Sequence, residues 1–179
     1  PTRRSSDLTA ALARLHARQG RRVRVFKCGP DFLDPHWHQL ASGATVGQLD
    51  LWMTGVADCS ARLHAAAAEA DLILVEGVMG LFDGRLGTAG EGSTAHIARL
   101  LSAPVLLVVD ASGSSRTAAA VALGLRAFDP RITIAGVVVN RVASARHGAE
   151  IAREFDLFIV DDDIYGFLEP APDYKPLAA

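Results

Sequence analysis

The sequence predicts an α/β fold: a doubly wound, mostly parallel sheet with helices on both faces. Two observations carry this prediction. Segments with apolar residues at helical spacing alternate along the chain with short, nearly continuous runs of Val, Ile and Leu, which is the pattern of strands covered on both faces. Polar residues recur at the ends of these runs, where sheets of this kind bind ligands.

The predicted elements follow in chain order. An apolar stripe predicts a helix from Leu8 to Gln19, which Gly20 is placed to end, and the alternating RVRVFK that follows predicts a strand. Three further helices are predicted at 61–70, 92–103 and 114–128, the second with Ser93 as its N-cap. Three buried strands are predicted at 71–77, 104–111 and 132–140.

Composition limits the class of protein. A chain of 179 residues suits one domain with a sizeable core, and its net charge of -2 offers no basic surface for nucleic acid or an anionic membrane. The two cysteines, Cys28 and Cys59, stand far apart without a CxxC pair, which argues against structural zinc and a disulfide framework. No apolar run reaches the roughly 20 residues that cross a bilayer. We therefore expect a soluble cytoplasmic protein.

Polar side chains lie at or just after the ends of the predicted strands: Lys27 with Asp31, Glu76, Asp110, and Asn140 with Arg141. Because parallel strands end at one edge of a sheet, these side chains are expected to converge there. The segment VEGVMGLFDG (75–84) adds three glycines and Asp83 after Glu76. A carboxylate beside open backbone suits Mg²⁺ or the phosphate side of a ligand, while a strand-to-loop turn capped by Glu76 stays open as an alternative.

The segment FKCGPDFLDPHWH (26–38) concentrates charged and aromatic residues after the first strand. His36 and His38 suggest a metal pair, but no third ligand stands at a matching spacing. Loop structure or substrate contact is therefore the favoured interpretation of both histidines. Asp34 precedes Pro35, so a simple turn start competes with a functional role for its carboxylate.

Six segments together resemble one family, the amino-terminal ATP-binding domain of cobyrinic acid and hydrogenobyrinic acid a,c-diamide synthases. They are FKCGPDFLDPHWH, QLDLWM (48–53), VEGVMGLFDG, GSTAH (92–96), VLLVVDASG (105–113) and NRVASARH (140–147). The resemblance covers residues 8–147. It implies a P-loop NTPase-like fold of the dethiobiotin synthetase kind, followed in the family by a glutaminase domain with a nucleophilic cysteine.

The resemblance also implies an activity, that of a glutamine-dependent ligase in cobalamin biosynthesis. ATP with Mg²⁺ would phosphorylate the a and c side-chain carboxylates of the corrinoid, and ammonia from glutamine would displace the phosphate to give amides. The expected partners are the corrinoid substrate and the glutaminase domain, with a homodimer left open. Neither nucleic acid nor a membrane is expected.

Roles for individual residues follow from the same resemblance. Asp50 and Glu76 would be the magnesium carboxylates, and Lys27 would meet phosphate, as phosphoryl transfer calls for positioned cations. Three acidic residues would line the place where the corrinoid carboxylate is activated: Asp31, Asp34 and Asp83. Asn140 would contact the edge of the adenine base, with Arg141 beside it.

Three other side chains carry structural expectations. Trp37 and Trp52 are expected in the core, with packing against the corrin ring as the alternative. Cys28 occupies a position where the family tends to have a small apolar residue. We expect its thiol to be buried and inert.

The amino-terminal end departs from the family pattern. No Gly-rich phosphate loop precedes the first helix, and Ser5, Ser6 and Asp7 stand where the lysine and two threonines of a GKTT-like stretch are expected. Residues 1–8, PTRRSSDL, resemble a translated sequencing adapter. The hypothesis is that this leader replaced an authentic start and that the polypeptide alone has negligible activity.

The carboxyl-terminal end departs as well. Residues 149–179 resemble the cofactor-binding centre of fold-type I aminotransferases, in which Asp162 and Tyr165 would contact pyridoxal phosphate. The Schiff-base lysine of that family is absent from the chain, so no pyridoxal phosphate chemistry is expected. The hypothesis is a foreign segment over 148–179, joined near His147; a genuine connector with an acidic turn at 161–163 is the alternative.

Other functions stay open. Related ligases include dethiobiotin synthetase, cobyric acid synthase and a diamide synthase acting on a nickel tetrapyrrole. A regulatory ATPase of the ParA/MinD kind would share the sheet, but it is expected to carry a membrane helix or a basic DNA face. A pyridoxal phosphate aminotransferase is supported only by residues 149–179.

Overall fold

Helices and parallel strands alternate in the computed structural model, which describes residues 5–153. The helices are α1 (Ser5–Arg18), α2 (Asp34–Ser42), α3 (Gly55–Ala67), α4 (Thr94–Leu101), α5 (Arg116–Phe128) and α6 (Ala145–Arg153). The strands are β1 (Val23–Cys28), β2 (Gly47–Leu49), β3 (Leu72–Glu76), β4 (Val105–Asp110) and β5 (Ile134–Asn140). The hypotheses about residues 1–4 of the adapter-like leader and about residues 154–179, including Asp162 and Tyr165, lie outside the described residues.

Residues 5–97 form a compact unit, which we call the first unit. Its sheet has the order β2-β1-β3 with all neighbours parallel, so β1 is the central strand. The apolar core around β1 contains Val23 and Val25 together with Ala13 of α1 and Ala41 of α2. Small residues on both helices let them approach the sheet closely, and the sheet in turn determines where the loops after each strand begin.

Residues 98–153 belong to a second compact unit, which we call the second unit. Here β4 pairs in parallel with β5, and Asp110 at the end of β4 stands opposite Asn140 at the end of β5. Helix α5 buries Ala118, Ala119 and Ala122. The predicted parallel arrangement of the strands is confirmed in both units.

Strand burial differs from the sequence prediction. The runs at 71–77 and 104–111 were expected to have no accessible face, but most of β3 is only half-buried and Leu106 in β4 is 46% exposed. In the first unit the reason is position: β3 is an edge strand, and only β1 has a paired neighbour on each side. Continuous apolar sequence therefore indicates a strand without ensuring that both of its faces are covered.

Two helix ends match the sequence prediction. Ser93 accepts a hydrogen bond at Oγ from the backbone N–H of His96 at 3.1 Å, which is the N-cap geometry expected before α4. Gly20 follows α1 in the left-handed conformation, with φ of 81°, which glycine adopts at no steric cost. The first helix begins at Ser5, three residues before the predicted start.

Helix α2 was not predicted, and its own burial pattern explains why. Its buried residues are His38 and Ala41, whereas Trp37 and Leu40 are 64% and 59% exposed. The large apolar residues therefore lie outside the buried face, and no apolar stripe marks the helix. Between residues 5 and 153, none of the helices has the length and apolar character needed to span a bilayer.

Candidate functional site

The site is built around Lys27, the penultimate residue of the central strand β1. Its side chain is buried, and its Nζ lies 2.7 Å from Asp34 Oδ2, 3.2 Å from Glu76 Oε1 and 3.3 Å from Asp31 Oδ2. These residues, with His38, form what we call the Lys27 cluster. One ammonium thus faces three carboxylates from three different parts of the first unit.

Strand register and one turn bring the cluster together. Lys27 and Glu76 are direct neighbours in the parallel pairing of β1 with β3. The chain then turns after β1, and Asp31 Oδ1 accepts hydrogen bonds from the backbone N–H groups of Leu33 at 2.9 Å and Asp34 at 3.3 Å. This turn delivers Asp34 as the first residue of α2, facing back towards the strand end. The predicted convergence at the carboxyl edge is confirmed for Lys27, Asp31 and Glu76, and Asp34 joins them.

Burial and charge act in opposite directions on the Lys27 ammonium. Burial alone lowers its pKa, but the hydrogen bond to Asp34 and the charge of Glu76 outweigh that effect and raise the pKa of Lys27 above its ordinary value. The pKa of the Asp31 carboxyl is lowered instead, to about 2. The main cause is the hydrogen bond from the backbone N–H of Leu33, while burial acts in the opposite direction. Both groups are therefore charged throughout the physiological pH range.

His38 enters the cluster from α2. Its ring is fully buried, and its Nε2 contacts Glu76 Oε2. His38 follows Asp34 by four residues, so both project from the same face of α2. The expectation that this histidine forms loop structure or contacts substrate is wrong, because a helix places it inside the protein against a carboxylate.

Ser6 is a participant that sequence reasoning missed. Its Oγ donates a hydrogen bond of 2.8 Å to Asp34 Oδ2, the same oxygen that receives the Lys27 ammonium. The sequence identified Ser6 only as a replacement for a phosphate-loop residue. Its place in the first turn of α1 is the signal that could have connected it with the site.

Two other predicted acidic residues lie in loops after the neighbouring strands. Asp50 follows β2 and accepts hydrogen bonds at Oδ1 from the backbone N–H groups of Trp52 and Met53, at 2.9 and 3.0 Å. Asp83, in the loop after β3, accepts one at Oδ2 from Gly80 at 3.0 Å. Both carboxylates thus order their own loops, and within residues 5–153 neither is hydrogen-bonded to the Lys27 cluster.

Asn140 and Arg141 lie in the second unit. Arg141 Nη1 donates to Asp110 Oδ2 at 2.8 Å, and Arg141 has φ of 62°. Asn140 is buried, and its Oδ1 has no hydrogen-bond partner among the described residues. The backbone N–H of Ser112, opposed by burial and aided by Arg141, lowers the pKa of Asp110.

The tryptophan and cysteine expectations have opposite outcomes. Trp37 and Trp52 are 64% and 79% exposed, so the expectation that they lie in the core is wrong. Each follows a strand end, on a short helix or in a turn, where little protein covers it. Cys28 is buried as predicted, and burial chiefly raises the pKa of its thiol to about 12, which keeps it in the unreactive protonated form.

The donors present suit a hard cation. No group of three or more His, Cys, Asp or Glu side chains within residues 5–153 is placed to hold a metal ion by itself. Mg²⁺ does not need such a group, since it is usually bound by one or two carboxylates plus water and substrate phosphates. Carboxylate oxygens of Asp34 and Glu76 already surround a cation, the Lys27 ammonium, so the chemistry of the site fits magnesium.

A parallel α/β sheet with charged side chains gathered at its carboxyl edge defines a ligand-binding domain of the doubly wound class. The chain belongs to the CobQ/CobB/MinD/ParA nucleotide-binding domain family, which it matches over residues 6–174. Solved structures agree on the fold. The match with chloroplast FtsY from Physcomitrella patens covers 86% of this chain and 53% of that protein, with a TM-score of 0.61 at 16% sequence identity. The match with FtsY from Mycoplasma mycoides has a TM-score of 0.55 at 18% sequence identity. The predicted P-loop NTPase-like fold is confirmed.

Curated relatives are more similar in sequence. The hydrogenobyrinate a,c-diamide synthase of Stutzerimonas stutzeri is 58% identical over 149 residues, covering 83% of this chain and 33% of that protein. The cobyrinate a,c-diamide synthase of Herminiimonas arsenicoxydans is 52% identical, with 83% and 32% covered. The chain thus spans about a third of the length of these relatives. The resemblance drawn from the six sequence segments is confirmed.

The comparisons also bear on residues 149–179. The family match continues to residue 174, and the cobyrinate a,c-diamide synthase of Dehalococcoides mccartyi aligns over 164 residues, 92% of this chain and 34% of that protein, at 45% identity. They therefore give no support to an aminotransferase origin for this segment or to a join near His147.

Proposed function

We propose that residues 8–147 are the ATP-binding part of a glutamine-dependent amidoligase that converts the a and c carboxylates of cobyrinic or hydrogenobyrinic acid to amides. Relatives named as such synthases support the substrate and the reaction. The observation that carries the proposal is the Lys27 cluster at the carboxyl edge of a nucleotide-binding sheet. A glutaminase domain in the same longer protein would supply the ammonia.

The charge balance of the cluster supports a magnesium-bound nucleotide. Three carboxylates surround one ammonium, so the cluster carries excess negative charge and repels both phosphate and a substrate carboxylate. A divalent cation removes this repulsion. We assign Mg²⁺ to Glu76, which ends β3, and Asp50, which follows β2; these two strands flank β1. When bound, the ion would neutralise the phosphate oxygens during transfer.

The remaining residues bind and orient. Lys27, held protonated by its carboxylates, is a fixed positive charge for a phosphate oxygen. Asp31, Asp34 and Asp83 line the place of carboxylate activation. The substrate carboxylate is itself ionised and attacks the γ-phosphorus without losing a proton, so these side chains need only position it through its neighbouring polar groups. The P–O bond to ADP breaks, and ammonia then displaces phosphate from the acyl phosphate.

For the nucleotide base we propose Asn140, with Arg141 beside it. The buried Oδ1 of Asn140 without a partner in residues 5–153 supports a polar ligand, because a buried acceptor is costly to leave unpaired. An Asn140→Leu variant should weaken ATP binding by about tenfold, a loss of one good hydrogen bond near 1.4 kcal/mol. Unchanged affinity in calorimetry would contradict this assignment.

The test of the proposed function uses protein made from the complete reading frame that contains this chain. ATP, Mg²⁺ and glutamine are supplied with hydrogenobyrinic or cobyrinic acid, and mass spectrometry follows conversion of acid to amide. Glu76→Gln should abolish amidation. Asp71→Asn is the matched control: Asp71 pairs with Arg22 at the amino end of the same sheet and should leave the rate unchanged. If the protein converts neither acid to an amide, the proposal is refuted.

The family description also covers MinD and ParA proteins, so a nucleotide-switched regulatory ATPase is the second candidate. It predicts ATP-dependent dimerisation, measurable by light scattering, without any acid-to-amide conversion. Related ligases are distinguished in the same assay by replacing the corrinoid with their own carboxylic acids.

A further inference from the structure

We infer that His38 is a positioning residue: it holds one oxygen of the Glu76 carboxylate so that the other faces the cationic side of the site. The established family membership assigns nucleotide binding to the domain, and the role of Glu76 toward Mg²⁺ rests on the proposed function. The proposed mechanism assigns no other role to His38.

The first support is the cost of burying an imidazole. His38 is fully buried, and its Nδ1 has no hydrogen-bond partner among residues 5–153. A leucine or phenylalanine would fill a similar space without an unpaired nitrogen. Within the described part of the chain, the one polar contact that the ring makes is from Nε2 to Glu76 Oε2. That contact is what an apolar side chain could not supply.

The second support is the division of the Glu76 carboxylate between two partners. Oε2 contacts the His38 ring, while Oε1 lies 3.2 Å from Lys27 Nζ. Held at one oxygen, the carboxylate has little freedom to rotate. Oε1 is thereby directed towards the cation. Side chains behind metal-binding carboxylates commonly orient those carboxylates by hydrogen bonding to them.

The third support is the helix that carries His38. Residues 34 and 38 lie one turn apart on α2, so the same rigid element delivers Asp34 to Lys27 and His38 to Glu76. Two of the three carboxylates beside the ammonium, Asp34 and Glu76, are therefore positioned from one helix face. Any displacement of α2 therefore changes the positions of both carboxylates, which couples Glu76 at the strand end to Asp34 on the substrate side.

The experiment measures nucleotide binding with and without metal, using protein from the complete reading frame and the non-hydrolysable ATP analogue AMP-PNP. Calorimetry gives Kd with Mg²⁺ and with EDTA for wild type, His38→Leu and His38→Gln. His38→Leu should lose about tenfold in the Mg²⁺-dependent part of the affinity, the lower end for residues that support a metal ligand. His38→Gln, whose amide still donates a hydrogen bond, should recover most of it.

Two controls separate positioning from packing. His36→Leu, at an exposed position on the same helix, should leave both affinities unchanged. In a Glu76→Gln background, His38→Leu should cost nothing further in Mg²⁺-dependent affinity, because the residue through which His38 acts is gone. Thermal unfolding of every variant reports the purely structural cost separately.

The outcomes divide cleanly. Equal weakening with Mg²⁺ and with EDTA, or additive losses in the Glu76→Gln background, would overturn the inference while leaving the proposed function standing. If wild type binds nucleotide in a metal-dependent way but forms no amide, the proposed function fails and the Mg²⁺ dependence still decides the role of His38. Wild-type binding that ignores Mg²⁺ would overturn both.

Discussion

The strand ends of the two compact units carry similar residues in different surroundings. In the first unit the side chains of Lys27 and Glu76 are 5% and 3% exposed and share several partners. In the second unit Arg141 and Asp110 form a pair with 42% and 53% of the side chains exposed. Solvent-exposed pairs contribute little to stability, whereas removing one member of a buried group leaves uncompensated charge. Burial, more than residue type, decides which strand end is sensitive to substitution.

The largest expected effect comes from removing the central cation of the first unit. Lys27→Met should lower the free energy of unfolding by about 3–5 kcal/mol, because carboxylates that are mostly buried lose their counter-ion. Urea denaturation measures the change. Arg141→Met in the second unit is the matched substitution and should cost less than about 1 kcal/mol. Similar losses for the two variants would remove the contrast between the units.

A smaller effect is expected from Ser6. Ser6→Ala removes one hydrogen bond to Asp34 Oδ2 while Lys27 remains, so the free energy of unfolding should fall by about 1.5–3 kcal/mol, typical for a hydrogen bond to a charged group. Urea denaturation of the wild type and of the Ser6→Ala variant measures this loss. If Ser6→Ala cost nothing, the hydrogen bond from α1 would not contribute to holding the cluster together.

The acid limb of stability should distinguish Asp31 from an exposed carboxylate. Its folded pKa of about 2 lies below the unfolded value near 3.9, so its stabilising contribution is present above pH 4 and lost as the pH falls towards 2. Asp31→Asn should therefore flatten the pH dependence of unfolding in this range. Its main partner is a backbone N–H, so the effect should persist in salt.

Asp71 supplies the salt-sensitive counterpart. The hydrogen bonds from Arg22 lower its pKa to about 2 as well, but the pair is exposed. Asp71→Asn should flatten the same acid limb at low ionic strength and lose most of that effect in high salt. Equal salt sensitivity for the two aspartates would contradict the distinction between a backbone N–H partner and a charged side-chain partner.

The smallest expected effect concerns the backbone of Arg141. A non-glycine residue with φ of 62° carries roughly 1 kcal/mol of conformational cost that glycine avoids. Arg141→Gly loses the exposed ion pair with Asp110 but relieves this cost, so the free energy of unfolding should change by less than about 1 kcal/mol in either direction. A loss several times larger would show that the Asp110 pair is more important than its exposure indicates.

Sequence reasoning identified more of the strand ends than of what surrounds them. Lys27, Asp31 and Glu76 are predicted from their places at or just after strand ends, and Asp34 from the family resemblance. Strand register brings Lys27 to Glu76, and the turn after β1 brings in the two aspartates. Asp50 and Asp83 follow strands too, but their carboxylates bond to local backbone N–H groups. A spacing pattern cannot distinguish these cases, since a carboxylate near a turn satisfies either its own loop or a distant partner.

By itself the sequence determined the parallel α/β class, the order of its main elements and the polar residues at its strand ends, because these depend on periodicity and on local turn chemistry. Only the tertiary structure decided that α2 exists, that it buries His38 and exposes Trp37, and that Ser6 reaches Asp34 across 28 residues. The physical reason is that such contacts depend on which face of a helix meets the sheet. That choice is made by packing between distant segments, which local sequence patterns do not encode.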